Sequence, residues 1–183
     1  MANRQDQREK VIQMLADHLL TAGLAQTSLR QLAAACGTSD RMLLYYFADK
    51  AEIMTLVLGR VAEQFSSALD HALPPERLPP HVLLQQASAL VRTPAMRPTM
   101  RLWLDMVAAA ARQEQPFPAI ATAILHQLMA WIEARLEGPP GPARRQRAAF
   151  LLALIDGIAI FDMTGGEAEA DAVEQALTDI LLP

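Results

Sequence analysis

The stretch from Thr27 to Glu52 constrains this chain more than any other, because three helix starts and one helix stop fall within it. Ser28 followed by Gln31 has the spacing of a capping box, in which the two residues satisfy each other's free backbone N–H groups; Thr27 is an alternative cap. Ser39 followed by Asp40 places a cap and then a negative charge at the positive end of a helix dipole. Asp49 and Glu52 repeat the box spacing. Between the first two starts, Gly37 ends a helix by taking up a left-handed backbone that a Cβ resists. Two short helices joined by a tight glycine turn make a helix-turn-helix, whose second helix fits a DNA major groove.

Helical periodicity continues on both sides of this stretch. Before it, Val11, Ile12, Leu15, Leu19 and Leu20 recur at helix spacing over residues 4–22, and Gly23 stops the pattern. Within it, Leu32, Ala33 and Cys36 form the inward face of the first short helix. In the second, over residues 39–47, Leu43, Leu44 and Phe47 stand three and four apart and are expected to pack inward. That leaves Asp40, Arg41, Met42 and Tyr45 outside. A fourth helix starts at Lys50 and runs for about 22 residues, or roughly 33 Å, until Pro74 and Pro75 break it. Five more helical patterns follow, over residues 80–92, 95–113, 118–137, 143–164 and 168–182, with Gly138-Pro139-Pro140-Gly141-Pro142 and Gly165-Gly166 as breaks. No stretch alternates as a strand would. The expected fold class is all-α, with a three-helix head over residues 1–49 and a helical body over 50–183 in which helix 50–72 is the connector.

Composition supports this and narrows the function. Hydrophobic residues make up 52% of the chain but aromatic residues only 5%, so the apolar content is mainly Ala, Leu, Ile, Val and Met. The strong helix formers Ala, Leu and Met, with β-branched residues scattered, favour helix. A single cysteine, Cys36, forms no internal disulfide and suits a reducing compartment. Neither a signal peptide nor an 18-residue uncharged apolar segment appears, so a cytoplasmic protein without a membrane span is expected. The net charge is −4, but residues 1–50 carry six basic against five acidic side chains and the remainder ten against fifteen. A slightly basic head on an acidic body suits DNA at one end only. His18, His71, His81 and His126 have no metal-ligand spacing, and nucleophile elbow, P-loop and dinucleotide fingerprints are missing. No cofactor is implied and an enzyme is not expected.

The candidate DNA contacts are Thr27, Ser28, Ser39, Asp40, Arg41, Met42, Tyr45, Tyr46 and Lys50. Lys50, at a helix start, suits a phosphate; otherwise it is a solvated first-turn lysine. Tyr45 and Tyr46 are phosphate donors or rings packed in the head, and Thr27 and Ser28 are caps before they are contacts. Arg41 has the reach for a bidentate bond to guanine, or for Asp40 or a phosphate. Asp40 is a dipole partner or an acceptor from cytosine. Ser39 and Met42 lie on the same outer side. Arg4 and Arg8 either follow the DNA backbone or are solvated.

In the body, Met96, Met100, Trp103, Met106, Phe117, Met129 and Trp131 suggest an adaptable apolar site, because methionine fits irregular shapes; plain core is the competing reading. Asp105 sits in an apolar stretch, either as partner to a polar ligand group or paired with Arg101 four residues earlier. Ligand contacts are expected from Met100, Trp103, Asp105, Met106, Phe117, Met129 and Phe161. Residues 148–161 are apolar on most sides of their helix, which calls for a partner subunit. The last helix would complete a four-helix dimer interface. Asp156 and Asp162 interrupt that apolar surface and are candidates for hydrogen bonds across the dimer.

The head resembles the TetR family of bacterial transcriptional regulators. The resemblance rests on Ala22-Gly23, then Thr27-Ser28-Leu29, Leu32-Ala33, Cys36-Gly37 and Ser39, then Leu43, Tyr46-Phe47, Asp49-Lys50 and Ile53, over about residues 8–56. It implies a nine-helix, TetR-like architecture with a ligand-binding and dimerisation body. By the same resemblance the protein is a ligand-responsive homodimeric repressor that leaves a palindromic double-stranded operator when a small apolar effector binds the body. In the family, effector binding shifts the connector helix and changes the separation of the heads. A regulator without a ligand, or an activator, is the alternative, and an all-α enzyme a more distant one. The chain departs from the family pattern at Thr38, where an apolar residue is common, at Asp40 for Lys, at Arg41 for Gly and at Leu44 for Tyr. Its operator is therefore its own, while Leu44 is expected to fill the same inward space.

Overall fold

The computed structural model describes residues 4–181. Among them are nine α-helices: α1 (Arg4–Ala22), α2 (Leu29–Ala35), α3 (Asp40–Tyr46), α4 (Lys50–Ala72), α5 (Pro80–Val91), α6 (Arg97–Ala111), α7 (Phe117–Arg135), α8 (Pro142–Met163) and α9 (Glu167–Leu181). A short 3-10 helix, Leu24–Gln26, follows α1; the sequence did not signal it. No helix among the described residues is long and apolar enough to cross a membrane. The chain packs as two compact units, one formed by Met1–Phe65 with Arg101–Ile124 and the other by Ser66–Met100 with Leu125–Pro183.

The first unit holds the glycine turn and the core behind it. Ile12, Leu15, Ala16 and Leu19 of α1 are buried with Leu32, Ala33, Leu43 and Phe47, and Ile53, Met54 and Val57 of α4 join them. Leu102, Met106, Ala109, Phe117 and Ile120 complete the same cluster. The turn is a Schellman motif: the Gly37 N–H donates to Ala34 O at 3.0 Å and the Thr38 N–H to Ala33 O at 2.9 Å. Gly37 has φ 61°, the left-handed value this closure needs.

Leu44 corrects the expected inward face of α3. Leu43 is fully buried and Phe47 is 2% exposed, but Leu44 is 49% exposed. Phe47 is the C-cap, with extended backbone at φ −129° and ψ 145°, so it has left the helical register that would have carried Leu44 inward with it. Leu44 instead lies one helical step, about 100°, from the buried line of Leu43.

The second unit is cross-linked by polar side chains. Arg92, at the C-terminal end of α5, pairs with Asp162 of α8 at 3.3 Å and with Asp171 and Glu174 of α9 at 2.6 and 3.2 Å. Arg97 reaches the other oxygen of Asp162 at 3.2 Å. The three carboxylates raise the Arg92 pKa above its ordinary value, Asp171 most, against the opposing effect of desolvation. Asp162, a candidate for bonding across a dimer, is thus buried and satisfied within its own unit. Elsewhere in this unit Asp70 accepts from Trp131 Nε1 at 2.7 Å and from Arg135, whose guanidinium lies over the Trp131 ring.

Candidate DNA-binding surface

The two short helices are set by caps a few residues away. Ser28 Oγ accepts from the Gln31 N–H at 3.3 Å while Gln31 Oε1 accepts from the Ser28 N–H at 3.0 Å, completing the box. Ser39 Oγ accepts from the Met42 N–H at 3.3 Å. At the start of α4, Asp49 Oδ1 accepts from the Glu52 N–H at 2.8 Å. Glu52 does not close the reciprocal half on Asp49; it reaches the Ala48 N–H at 2.5 Å and the Arg8 guanidinium at 2.5 Å. One carboxylate therefore ties α1 to the junction between α3 and α4.

These contacts leave a defined outer face. Asp40, Arg41, Met42 and Tyr45 of α3 are exposed, as are Ser28, Ser39 and Lys50. Thr27 is buried at 8% exposure, and its hydroxyl donates to Leu24 O at 3.1 Å. Tyr46 is half-buried and meets the Tyr45 ring edge-on, with centroids 5.2 Å apart. Arg4 donates to Tyr45 O at 2.6 Å and lies over its ring at 4.7 Å; the Arg8 guanidinium lies 5.1 Å from the Phe47 ring centroid. Both arginines, read from sequence as backbone followers or solvated charges, are engaged within the head and hold the end of α3. Their one-turn spacing on α1 was the available signal, but the aromatic partners lie about 40 residues away in sequence. Cys36 is partly buried, and burial raises its thiol pKa, which disfavours the thiolate.

Behind the motif, α6 grips the turn after α1. Arg101 donates to Leu20 O and Thr21 O, each at 3.1 Å, closing carbonyls that α1 leaves free at its end. Asp105 Oδ2 accepts from the Leu24 N–H at 3.4 Å. The expected Arg101–Asp105 helix pair gives way to these two longer-range partners. A Cβ at Gly23, where φ is 70°, would stand 2.9 Å from Asp105 Oδ2.

The remaining candidates for ligand contact fall in different places. Met106 and Phe117 are buried in the core of the first unit, and Trp103 packs against it. In the second unit Met100 is buried and Met129 partly so, whereas Phe161 of α8 is 41% exposed.

Residues 16–57 match the family model of bacterial regulatory proteins of the tetR family. Over these residues the chain is similar to the DNA-binding part of the tetR family. A transcriptional regulator from Rhodococcus sp. Rha1 is similar at 25% identity and a TM-score of 0.70, over 95% of this chain and 92% of its own. The TetR-family regulator from Cytophaga hutchinsonii shares the fold at 17% identity and a TM-score of 0.73, over 99% and 96% of the two chains. The multidrug binding protein EbrR, complexed with proflavin, shares it at 22% identity and 0.71, over 98% and 100%. No curated protein sequence matches the chain. The first two of these similar structures are transcriptional regulators, and the stretch of this chain that matches the family model is its helix-turn-helix.

Proposed function

We propose that the protein is a cytoplasmic homodimeric repressor that leaves a palindromic operator when a small apolar effector binds its body. The observation that carries the DNA-binding part is the outer face of α3, where Arg41 is exposed beside Met42 and Tyr45 while Leu43 and Phe47 anchor the helix beneath. Residues 1–49 act as the DNA-binding head and 50–183 as the effector and dimer part, with α4 as connector. Arg41 takes a guanine edge, with Asp40, Met42 and Ser39 beside it in the groove. Lys50, Tyr45, Tyr46 and Ser28 hold phosphates at its margins; Thr27, buried with its hydroxyl on Leu24 O, is left to the turn.

Exposed Phe150, Ile160 and Phe161 on α8 support a dimer, because large apolar side chains gathered on one helix are commonly covered by a partner. The ligand carried by EbrR supports a small-molecule effector, with Trp103, Asp105, Met106 and Phe117 of the first unit as its contacts here. An effector that draws Asp105 away from the Leu24 N–H would free the turn leading into the helix-turn-helix. It releases DNA only if it binds the released conformation more tightly than the DNA-competent one.

The test is a gel shift on DNA from the protein's own promoter region, with wild type, Arg41→Ala and Lys50→Ala. Arg41→Ala is expected to relax sequence preference, and Lys50→Ala to weaken all sequences alike and lower the salt dependence. Full-strength binding with an unchanged salt slope in Lys50→Ala would remove its phosphate role.

A further inference from the structure

We propose that Leu44 is a specificity-determining residue that reads the 5-methyl group of a thymine in the operator half-site. The proposal rests on α3 being the recognition helix. Leu44 is 49% exposed on a seven-residue helix whose buried line is Leu43. It stands three residues after Arg41, which makes the two side chains neighbours on one side of the helix. Its exposure is not a consequence of a loose helix end, because the Ser39 cap and the Phe47 N–H, which donates to Leu43 O at 2.9 Å, close both ends of α3. Tyr45, the next exposed side chain, is held back by Arg4 at its ring and carbonyl. Leu44 stays outside the core cluster that takes in Tyr46 and Phe47.

A leucine has no donor or acceptor, so in a major groove it distinguishes bases in two ways. Against thymine it buries a methyl group, the one apolar feature any base pair presents there. Against guanine or adenine it would cover the N7, O6 or N6 groups without replacing their hydrogen bonds with water, which is unfavourable. With Arg41 alongside, the half-site should carry a thymine next to the guanine that Arg41 takes.

The experiment selects duplexes from a random pool with the full-length wild-type chain, then replaces each thymine of the selected site singly with deoxyuridine, which lacks only the methyl group. Dissociation constants are compared for wild type, Leu44→Ala and Leu44→Met at one salt concentration, with circular dichroism confirming that each is folded. At one thymine per half-site, wild type and Leu44→Met should lose about four-fold in affinity on replacement, the worth of one buried methyl group. Leu44→Ala should be indifferent there. The proposal is overturned if wild type tolerates deoxyuridine at every position, or if Leu44→Ala keeps the wild-type sensitivity. A wild-type chain that selects no sequence from the pool would overturn the recognition-helix reading, and this proposal with it.

Discussion

The glycine-turn head and the α5–α8–α9 cluster are both helical, yet they are held by opposite means. In the head, the Ser28, Ser39 and Asp49 caps each find their partner three residues away. In the cluster, neither α5 nor α8 has a side-chain N-cap, and Arg92 and Arg97 bond partners 65 to 82 residues distant. A surface that must present the same side chains to DNA each time benefits from short-range closure, because capping stabilises each helix without waiting for the rest of the fold. The cluster gains its geometry only when distant helices have already met. The capped helices of the head are joined to one another by an apolar core, and the helices of the cluster also by ion pairs. Damage to apolar packing should therefore dominate in the head and damage to polar partners in the cluster.

The largest effect is expected from Leu43→Ala. Leu43 is fully buried beneath α3, so its truncation should cost about 3 kcal/mol in urea unfolding at fixed protein concentration. DNA affinity should fall together with stability. A loss under about 1 kcal/mol would mean that α3 is held chiefly by its caps, and the contrast would have to be redrawn.

Asp162→Ala is next, at about 2 kcal/mol. Removing one member of a buried ion-pair group usually costs more, but Arg92 keeps Asp171 and Glu174, and Arg97 is 47% exposed and reaches water. Asp162→Asn should recover part of the loss by retaining a hydrogen-bond acceptor. If instead Asp162→Ala is neutral for stability but dissociates the protein in sedimentation, Asp162 acts at a subunit contact and the cluster's internal lock is not its main role.

The same contrast explains what could be read before any coordinates. Caps, the Gly37 closure and the periodicity of nine helices depend on residues within a few positions, and these appear close to where the sequence places them. Three readings made from spacing fail, one for a local cause and two for a distant one. Leu44 was assigned by spacing to Phe47, and an extended C-cap broke that spacing. Arg101 and Asp105 were paired with each other because they are four apart, but carbonyls and an N–H about 80 residues away claimed them. Asp162 was an oddity until Arg92 and Arg97 came from another helix. The last two outcomes depend on which distant group arrives at a side chain, which neither spacing nor propensity encodes. The outer face of α3 was largely readable, since Arg41, Met42 and Tyr45 are exposed as expected. The Arg4 and Glu52 contacts that steady it were not.

The smallest effects separate local from distant closure within the head itself. Gly37 and Gly23 have similar left-handed backbones, with φ of 61° and 70°, so alanine at either should cost about 1 kcal/mol in conformational strain. The surroundings differ. A Cβ at Gly37 meets nothing within 4 Å, whereas at Gly23 it meets Asp105 Oδ2 at 2.9 Å. Asp105 can swing aside, but only by giving up the Leu24 N–H, a loss of about 1 kcal/mol more. Gly23→Ala should therefore be the more damaging of the two, and Asp105→Ala should itself cost about 1 kcal/mol. In the Asp105→Ala background the two glycine replacements should become equal, so the double-mutant cycle isolates the contact between α6 and the turn. Equal costs in the wild-type background would mean that Asp105 yields freely. That would leave Arg101 alone to grip the turn from α6 and remove the proposed route from an effector at Asp105 to the helix-turn-helix.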